Sequence, residues 1–451
     1  MGYSSSDGKR PFELASKSSH HHIINDPEVQ ALLEGLAKPP APEEIPLDDI
    51  ATTINELQDN PVQAIVAVDG GYAETSITKD YPSRLIHFLQ FGALAFRRQD
   101  LEMLEASEFI LPEDMSRLKA IHRLKMALPT RNVRLKTSAT MQDSVLHTIY
   151  AFFKTNTLGE KNSLLDTLAW LVFRRYKGND RTEADRSWDL ATNPRSPQGN
   201  RVVLTELAMR PDYTFPCPET GESIYLTDVF RLHEAIDEER GATGILGYLV
   251  NVIEHLVIVH LIRHILRTQP AVLRSVLFIK DGPTGFFGQT ARMFALMGEL
   301  VTWLYAHHSL LLAGIEKSGA FVDHAQEIRT RLKPGTVVVL TNEYIYRYIL
   351  PPPSDPSRPY GCTTNYGHKV IYKSRLGHMY VISLPVSELK VSPTTADIPQ
   401  LDVVLGNVEA LRCDLYDSAL FPVALVNKLV SLSAHPSQQI LQRFAIGTVG
   451  G

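Results

Sequence analysis

The sequence is poor in cysteine, and its three cysteines, Cys217, Cys362 and Cys413, lie far apart. No Cys-x-x-Cys pair occurs, which excludes the usual ligand spacing of a zinc ribbon or finger. So few thiols also exclude a small secreted fold that disulfides hold together. The hydrophobic content of 44% and the charged content of 21% are ordinary for a globular protein, so we expect a hydrophobic core to stabilise the chain.

The sequence also lacks an uninterrupted apolar run of about 18 residues, the length that a membrane span requires. The nearest stretch is Tyr248–Leu266, which glutamate, histidine and arginine side chains interrupt. Residues 1–19 are polar and contain no apolar core of a signal peptide. These features predict a cytoplasmic protein that does not associate with a membrane.

Several enzyme motifs are missing too. The chain has no GxxxxGK[ST] loop, and the segment Gly282–Gly285 lacks the lysine, so the chain is not itself a P-loop ATPase. No GxSxG nucleophile elbow occurs.

The sequence also has no excess of positive charge, because the net charge is −5. Any nucleic-acid contact would therefore need a local basic patch or a partner.

The length of 451 residues exceeds the size of about 250–300 residues at which one core stops growing. Residues 1–60 are expected to be an N-terminal extension, because they combine polar sequence with a Pro-rich, acidic linker at 39–46. Residues 61–451 are expected to form the main domain. Within it, residues from about 80 to 245 are expected to be an elaborated, mainly helical insertion.

Short β-branched apolar runs alternate with stretches of helical periodicity, which predicts an α/β fold. The predicted strands and hairpins are 64–71, 213–226, 275–283, 336–340, 369–372 and 379–384. The predicted helices are 26–36, 162–176, 245–267, 292–312 and 420–432.

Two of these predicted strands end in Asp-Gly, at Asp69-Gly70 and at Asp281-Gly282. A carboxylate at the end of a buried strand lies at the sheet edge where α/β sheets bind ligands. Two such carboxylates on neighbouring strands would form an oxygen-rich site for Mg²⁺ or Mn²⁺. The alternative is that Asp-Gly is simply a favourable turn dipeptide.

A third acid is expected on the apolar helix that precedes the second strand. Glu254 lies in this helix, and a charged side chain there is rarely buried without a partner. It is either a metal ligand or part of a solvated stripe or salt bridge, for example with Arg263. Glu238 and Glu239 are rival candidates in a charged, loop-like run.

Four segments together resemble the NurA nucleases. They are Asp69-Gly-Gly71, Leu277–Pro283, Gly314–Gly319 and Tyr366–Pro385, and they occur in the order seen in that family. The resemblance runs from about residue 60 to the end of the chain.

This resemblance implies an RNase H-like mixed sheet flanked by helices, and a homodimer. It also implies manganese-dependent cleavage of DNA, as a single-strand endonuclease and 5′→3′ exonuclease. From the two aspartates themselves we expect a pair of ions, Mn²⁺ or Mg²⁺. The implied partner is a hexameric HerA-type ATPase that translocates DNA. Such pairs act in DNA end processing and repair or in anti-phage defence.

By position, the resemblance makes Asp69 and Asp281 the metal-binding aspartates and Glu254 the acid of the preceding helix. Lys317 matches a lysine that would face a phosphate. Asn427 stands where the family commonly has a histidine, and its side-chain carbonyl could be a fourth metal ligand, although it cannot carry a proton near neutral pH.

Three further residues concern this fourth position. Ala419 stands where the family commonly has a tyrosine, and His368 or His378 could supply an imidazole instead. The departure at these positions and the acidic net charge leave a second hypothesis open, a catalytically weak or inactive scaffold that binds and regulates the ATPase and DNA. A third, an RNase H-like RNA nuclease, would differ only in its substrate.

Overall fold

The structure is a computed structural model that describes residues 23–35, 45–78, 82–100, 119–159, 161–413, 420–432 and 437–449. The chain divides into two compact units, Met1–Ile45 and Pro46–Gly451.

The described part of the first unit contains helix α1, Pro27–Glu34. It begins as the sequence predicts, because Oδ1 of Asp26 accepts hydrogen bonds from the backbone N–H groups of Glu28, at 2.9 Å, and Val29, at 3.2 Å. Pro27 occupies the first turn, where its missing N–H costs nothing. No residue of this helix is buried.

A nine-stranded sheet lies at the centre of the second unit, with the strand order β1-β11-β12-β13-β10-β9-β2-β3-β4, and two small hairpins, β5-β6 and β7-β8, accompany it. The strands are β1 (Ala51–Thr53), β2 (Ala64–Ser76), β3 (Leu85–Arg97), β4 (Lys119–Arg131), β5 (Ser187–Leu190), β6 (Val202–Thr205), β7 (Thr214–Pro216), β8 (Ser223–Tyr225), β9 (Val276–Asp281), β10 (Leu311–Glu316), β11 (Thr336–Val339), β12 (Gly367–Lys373) and β13 (Met379–Pro385).

The sheet is mixed. Strands β2, β3 and β4 form an antiparallel meander, while β9 pairs in parallel with both β2 and β10. The pairs β10-β13, β13-β12, β12-β11 and β11-β1 are all antiparallel. The predicted strands in 275–283 and 336–340 and the predicted hairpins in 213–226 and 369–384 are all present.

The described helices of the second unit cover the sheet. They are α2 (Leu47–Ile50), α3 (Met141–Thr155), α4 (Leu164–Val172), α5 (Leu246–Thr268), α6 (Met293–His307), α7 (Ala320–Glu327), α8 (Asn342–Tyr348), α9 (Leu401–Ala410), α10 (Phe421–Val430) and α11 (Ser437–Val449).

Each face of the sheet has its own hydrophobic core. Successive side chains of β2 point to opposite faces, so Val66 and Val68 pack in one core with helices α3 to α6, and Ile65 and Ala67 pack in the other with α9 and α10. We call these the α5 face and the α10 face. The alternation determines which face each side chain at the end of β2 occupies.

Two expectations from the sequence are wrong. The region 80–245 is not mainly helical, because β3 and β4, with 13 residues each, belong to the central sheet. Residues on both faces of β3 are buried, as Phe91 and Leu94 illustrate, so the polar alternation that marks a strand is missing. The helix predicted over 292–312 ends at His307, and Leu311 already belongs to β10.

Among the described residues, one segment, Thr243–Thr268, is long and apolar enough to cross a membrane by length and composition. It includes α5, and 78% of its most apolar stretch is buried inside the protein. A buried core helix passes the same test, so this segment is weak evidence for a membrane protein.

Candidate functional site

Asp69 and Asp281 lie next to each other in the central sheet. Asp281 ends β9 as predicted, but Asp69 does not end its strand, because β2 continues to Ser76. Val68 pairs with Lys280 in the parallel β2-β9 ladder, and the two aspartates follow these residues directly. Their side chains therefore point to the same face, the α10 face. The structure thus brings together the two aspartates on which the sequence analysis rests.

The carboxylate of Asp69 is buried among other charges. Its Oδ1 accepts a hydrogen bond from the backbone N–H of Gly70 at 2.8 Å, and its Oδ2 is buried without a hydrogen-bond partner. Burial and the nearby carboxylates of Asp281 and Glu254 raise the pKa of Asp69 to about 7, although Lys317 and the side chain of Asn427 act in the opposite direction. The site therefore holds several carboxylates close together where they are shielded from water.

Glu254 approaches the two aspartates from helix α5, which covers the opposite face of the sheet. Its Oε1 accepts a hydrogen bond from the N–H of Gly70 at 3.0 Å, and its Oε2 lies 2.9 Å from Nζ of Lys280. Burial raises the pKa of Glu254, and Lys280 opposes this rise. The salt-bridge partner is therefore Lys280 and not Arg263, which donates a hydrogen bond to Oγ1 of Thr167 at 3.2 Å.

Lys280 belongs to the site although it was not predicted. Its side chain is almost completely buried, and Nζ also donates a hydrogen bond to the backbone carbonyl of Asp281 at 2.6 Å. The available signal was a lysine within an otherwise apolar strand, since a buried ammonium group needs an anionic partner.

Lys317 also contacts the site. It follows β10, and its Nζ lies 2.7 Å from Oδ2 of Asp281. Ile315 pairs with Asp281 in the parallel β10-β9 ladder, which places the residues after β10 beside the second aspartate. The ammonium and carboxylate groups are both partly accessible to solvent.

Asn427 lies on α10 and is exposed, and its side chain is near enough to Asp69 to lower the pKa of that carboxylate. The structure thus places Asn427 beside the first aspartate. Ala419, the other position at which the sequence departs from the family pattern, lies outside the described residues.

The rival acids lie elsewhere. The carboxylate of Glu238 accepts hydrogen bonds from the N–H groups of Met141, at 2.8 Å, and Gln142, at 2.9 Å. These groups begin α3, so Glu238 caps that helix. Glu239 belongs to the same turn, where its N–H donates to Oδ1 of Asp237 at 2.9 Å.

The two histidines considered as alternative ligands are also not brought to the aspartates. His368 is the second residue of β12, and two strands, β13 and β10, separate β12 from β9. Its Nε2 accepts a hydrogen bond from the N–H of Lys390 at 3.1 Å. His378 lies in the turn between β12 and β13, and β10 separates β13 from β9.

The loop after Asp281 is closely packed. The N–H of Gly282 donates to the carbonyl of Ile315 at 2.7 Å. A Cβ atom on Gly314 would lie 2.4 Å from the carbonyl oxygen of Gly282. Only glycine at position 314 therefore allows the two strand ends to approach this closely.

The donor set suits a hard divalent cation, because carboxylate and amide oxygens are its usual ligands. The buried, unpartnered Oδ2 of Asp69 is free to accept one. However, no group of three or more His, Cys, Asp or Glu side chains among the described residues is arranged to hold a metal ion. Lys280 and Lys317 bind Glu254 and Asp281 instead.

Comparisons with known proteins give structural similarities only. No protein-family model matches the chain, and no curated protein matches it.

The chain is similar to solved structures of NurA nucleases. That from Sulfolobus solfataricus is 9% identical, with a TM-score of 0.34, over 96% of each chain. A NurA with manganese is 14% identical, with a TM-score of 0.31, over 97% of this chain and 99% of the other. A NurA bound to dAMP and manganese is 15% identical, with a TM-score of 0.29, over 95% and 96%. Similarities at these values do not establish what this chain does.

Proposed function

We propose that the chain is a divalent-metal-dependent nuclease that hydrolyses the phosphodiester bonds of DNA. One observation carries this proposal. Asp69 and Asp281 follow paired positions on adjacent parallel strands, and a buried oxygen of Asp69 has no hydrogen-bond partner. A buried, unpaired anionic oxygen is costly to a fold, and a bound cation would satisfy it.

The proposed metal ligands are Asp69, Asp281 and Glu254, with the side-chain carbonyl of Asn427 as a fourth. A pair of divalent ions, Mn²⁺ or Mg²⁺, would supply an activated water and stabilise the leaving oxygen. Lys280 would hold Glu254 in place through their 2.9 Å ion pair.

Lys317 would have the role of binding the substrate phosphate. Its ammonium group lies 2.7 Å from Oδ2 of Asp281, and both side chains are partly accessible to solvent, so a short movement would transfer it from the carboxylate to a phosphate oxygen. A charge-assisted hydrogen bond to phosphate would replace the one to the carboxylate.

The wider assignments belong to the same proposal. We infer an RNase H-like sheet, supported by the antiparallel meander β2-β3-β4 that continues through β2 into the parallel strands β9 and β10. The proposed protein is a cytoplasmic homodimer that works with a hexameric HerA-type ATPase, which would feed DNA to the nuclease. The proposed role is DNA end processing and repair or anti-phage defence.

Cleavage assays test the activity. Labelled single-stranded and double-stranded DNA and a matched RNA would be incubated with Mn²⁺, Mg²⁺ or EDTA. We expect metal-dependent DNA cleavage that Asp69→Asn and Asp281→Asn abolish and that Asp180→Asn, a change at an exposed aspartate, leaves intact. Full activity in either of the first two variants would refute the proposal, and preferred cleavage of RNA would change the substrate.

The partner needs its own experiment. Light scattering after size-exclusion chromatography would measure the mass of the chain alone and with a purified HerA-type ATPase. We expect a dimer alone and a stable larger complex in the mixture. A monomer that does not join the ATPase would contradict the proposed assembly without affecting the proposed chemistry.

One observation favours a second candidate, an inactive scaffold that regulates the ATPase and binds DNA. Lys280 and Lys317 already neutralise Glu254 and Asp281, so two of the three carboxylates do not need a metal for charge balance. A scaffold would bind DNA and the ATPase without cleaving DNA under any of the metal conditions above, with or without the ATPase.

A further inference from the structure

Among the described residues, three tyrosine, phenylalanine or tryptophan side chains are exposed. The three are Tyr72, Phe287 and Phe444, which are 46%, 38% and 61% exposed. Tyr72 follows Asp69 by three residues on β2, and Phe287 follows Asp281 by six. Tyr72 and Phe287 therefore lie on the two chain segments that continue from the aspartates, within β2 and in the loop after β9.

Tyr72 stands on the open side of β2. Beyond Asp69 the strand continues to Ser76, and its side chains alternate between exposed Tyr72 and Glu74 and buried Ala73 and Thr75. Gly70 and Tyr72 face α5, because a Cβ on Gly70 would touch Val250 of that helix. The α10 face is closed here, since a Cβ on Gly71 would lie 3.0 Å from the carbonyl of Val430.

Phe287 is fixed beside the same helix. A Cβ on Gly285 would lie 3.1 Å from Cζ of Phe287, so the ring lies over Gly285. The carbonyl of Gly285 accepts a hydrogen bond from Nδ2 of Asn251 at 3.0 Å. Asn251 is one helical turn before Glu254, which places the ring within about one or two turns of the proposed ligand.

The neighbouring residues hold this loop. Phe286 is buried with its ring 4.2 Å from that of His255, and its N–H donates to the carbonyl of Thr364 at 2.8 Å. Gly288, with φ +55°, packs against Tyr248, where any Cβ would lie 2.4 Å from the ring. Phe287 is thus an exposed ring on a fixed backbone and not a disordered apolar residue.

We propose that Tyr72 and Phe287 form, on the α5 face, a stacking platform for the unpaired bases of a single nucleic-acid strand. Its phosphates would reach Asp69 and Asp281, which point to the α10 face, past the edge of β2 where the ladder with β9 ends at Val68. This inference rests on the proposed function and adds which face of the sheet receives the bases. Every base presents a flat π face, so aromatic side chains bind single strands with little sequence preference. Bases within a duplex are already stacked and cannot use the platform.

Binding can be measured without cleavage. Fluorescence anisotropy in EDTA would give the Kd of a labelled single-stranded DNA and of the same strand with abasic sites in its central part. Each of Tyr72→Ala and Phe287→Ala is expected to weaken binding of the normal strand by about 5- to 100-fold. The abasic strand is expected to bind wild type and both variants with the same reduced affinity.

Two exposed residues serve as controls. Phe444 packs against Phe88, whose partner in the β2-β3 ladder is Ala73 on the α10 face. Leu207 is 97% exposed in a short helical turn after β6. Phe444→Ala and Leu207→Ala should leave the Kd of both strands unchanged. Phe287→Tyr and Tyr72→Phe, which keep the ring, should retain most of the affinity.

The result that would overturn the platform is equal binding of the normal strand by wild type, Tyr72→Ala and Phe287→Ala. A loss of the same size in Phe444→Ala would overturn the choice of the α5 face, and an equal loss on the abasic strand would show that the rings do not act through bases. These outcomes are separate from the proposed function, which fails if wild type cleaves no DNA with metal present.

Discussion

Nζ of Lys280 lies 2.9 Å from Oε2 of Glu254, and both side chains are almost completely buried. Removing one partner of such a pair leaves an uncompensated charge in the core. Lys280→Met is therefore expected to lower the free energy of unfolding by about 3–5 kcal/mol. Urea denaturation of the metal-free protein would measure this loss.

The matched control for this prediction is the double variant Lys280→Met/Glu254→Gln, which removes both charges. It should recover much of the lost stability, because no unpaired charge remains. If the single and double variants were equally unstable, the ion pair would not be the cause.

Asp69→Asn is expected to raise stability and to lower activity. Burial, and then repulsion by Asp281 and Glu254, raise the pKa of this carboxylate to about 7. A neutral amide removes the repulsion, so the metal-free variant should be about 1–3 kcal/mol more stable than wild type at pH 8. Its cleavage rate should fall by at least about 100-fold, because a proposed metal ligand is gone.

Thermal unfolding in EDTA and with Mn²⁺ provides the check. Mn²⁺ should raise the Tm of wild type, because a cation that binds only the folded state stabilises it. It should not raise the Tm of Asp69→Asn. Equal metal-induced shifts in the two proteins would remove Asp69 from the ligand set.

Gly314→Ala is expected to damage the site through the backbone. The added Cβ would lie 2.4 Å from the carbonyl oxygen of Gly282, which follows Asp281. The loop must move, which should cost about 1–3 kcal/mol of stability and reduce cleavage. Gly247→Ala is the matched control, because that helical glycine has no atom within 4 Å of the new Cβ. It should stabilise α5 by up to about 1 kcal/mol.

The burial of Asp228 should make stability depend on pH, and this effect does not involve the carboxylate site. It lies completely buried in a short 3-10 helix, where one oxygen accepts a hydrogen bond from the N–H of Tyr225 at 2.9 Å and the other has no partner. Burial raises its pKa to about 7, although Arg195 opposes the rise.

The folded state therefore binds a proton that the unfolded state has lost between about pH 4 and pH 7. The contribution of Asp228 to stability is fully present below about pH 4, decreases as the pH rises to 7, and is constant above that. Asp228→Asn should thus gain about 2–4 kcal/mol relative to wild type between pH 5 and pH 8. A difference in unfolding free energy that does not change with pH would contradict this.

The sequence predicted the strands that carry the site but not the whole site. Asp69 and Asp281 could be predicted because each ends a short apolar run, and the structure places these strands side by side. Lys280 could not be assigned, because its role depends on the helix that lies over its side of the sheet. β3, β4 and β10 were all missed. Burial on both faces removes the alternation that identifies a strand in β3 and β10. β4 does alternate, with Arg123 and Lys125 exposed and Leu124 and Met126 buried, so its pattern was present in the sequence.

The exposure of Tyr72 could not be predicted from the sequence either. In the sequence it is one of 17 tyrosines, and nothing in its neighbours distinguishes it. Its exposure follows from the helices that leave one side of β2 uncovered beyond Asp69. Whether a side chain is accessible depends on packing between distant segments, which local patterns do not encode.

The position of Lys317 has a consequence for metal choice. Its ammonium group lies 2.7 Å from Asp281 and is tethered to the neighbouring strand, so it is always present at a high local concentration. Any ion that approaches Asp281 has to compete with this built-in cation. Weakly held monovalent ions would lose that competition, whereas a divalent ion that also gains the free oxygen of Asp69 can win it. Lys317 would then favour divalent over monovalent ions at Asp281, in addition to binding phosphate.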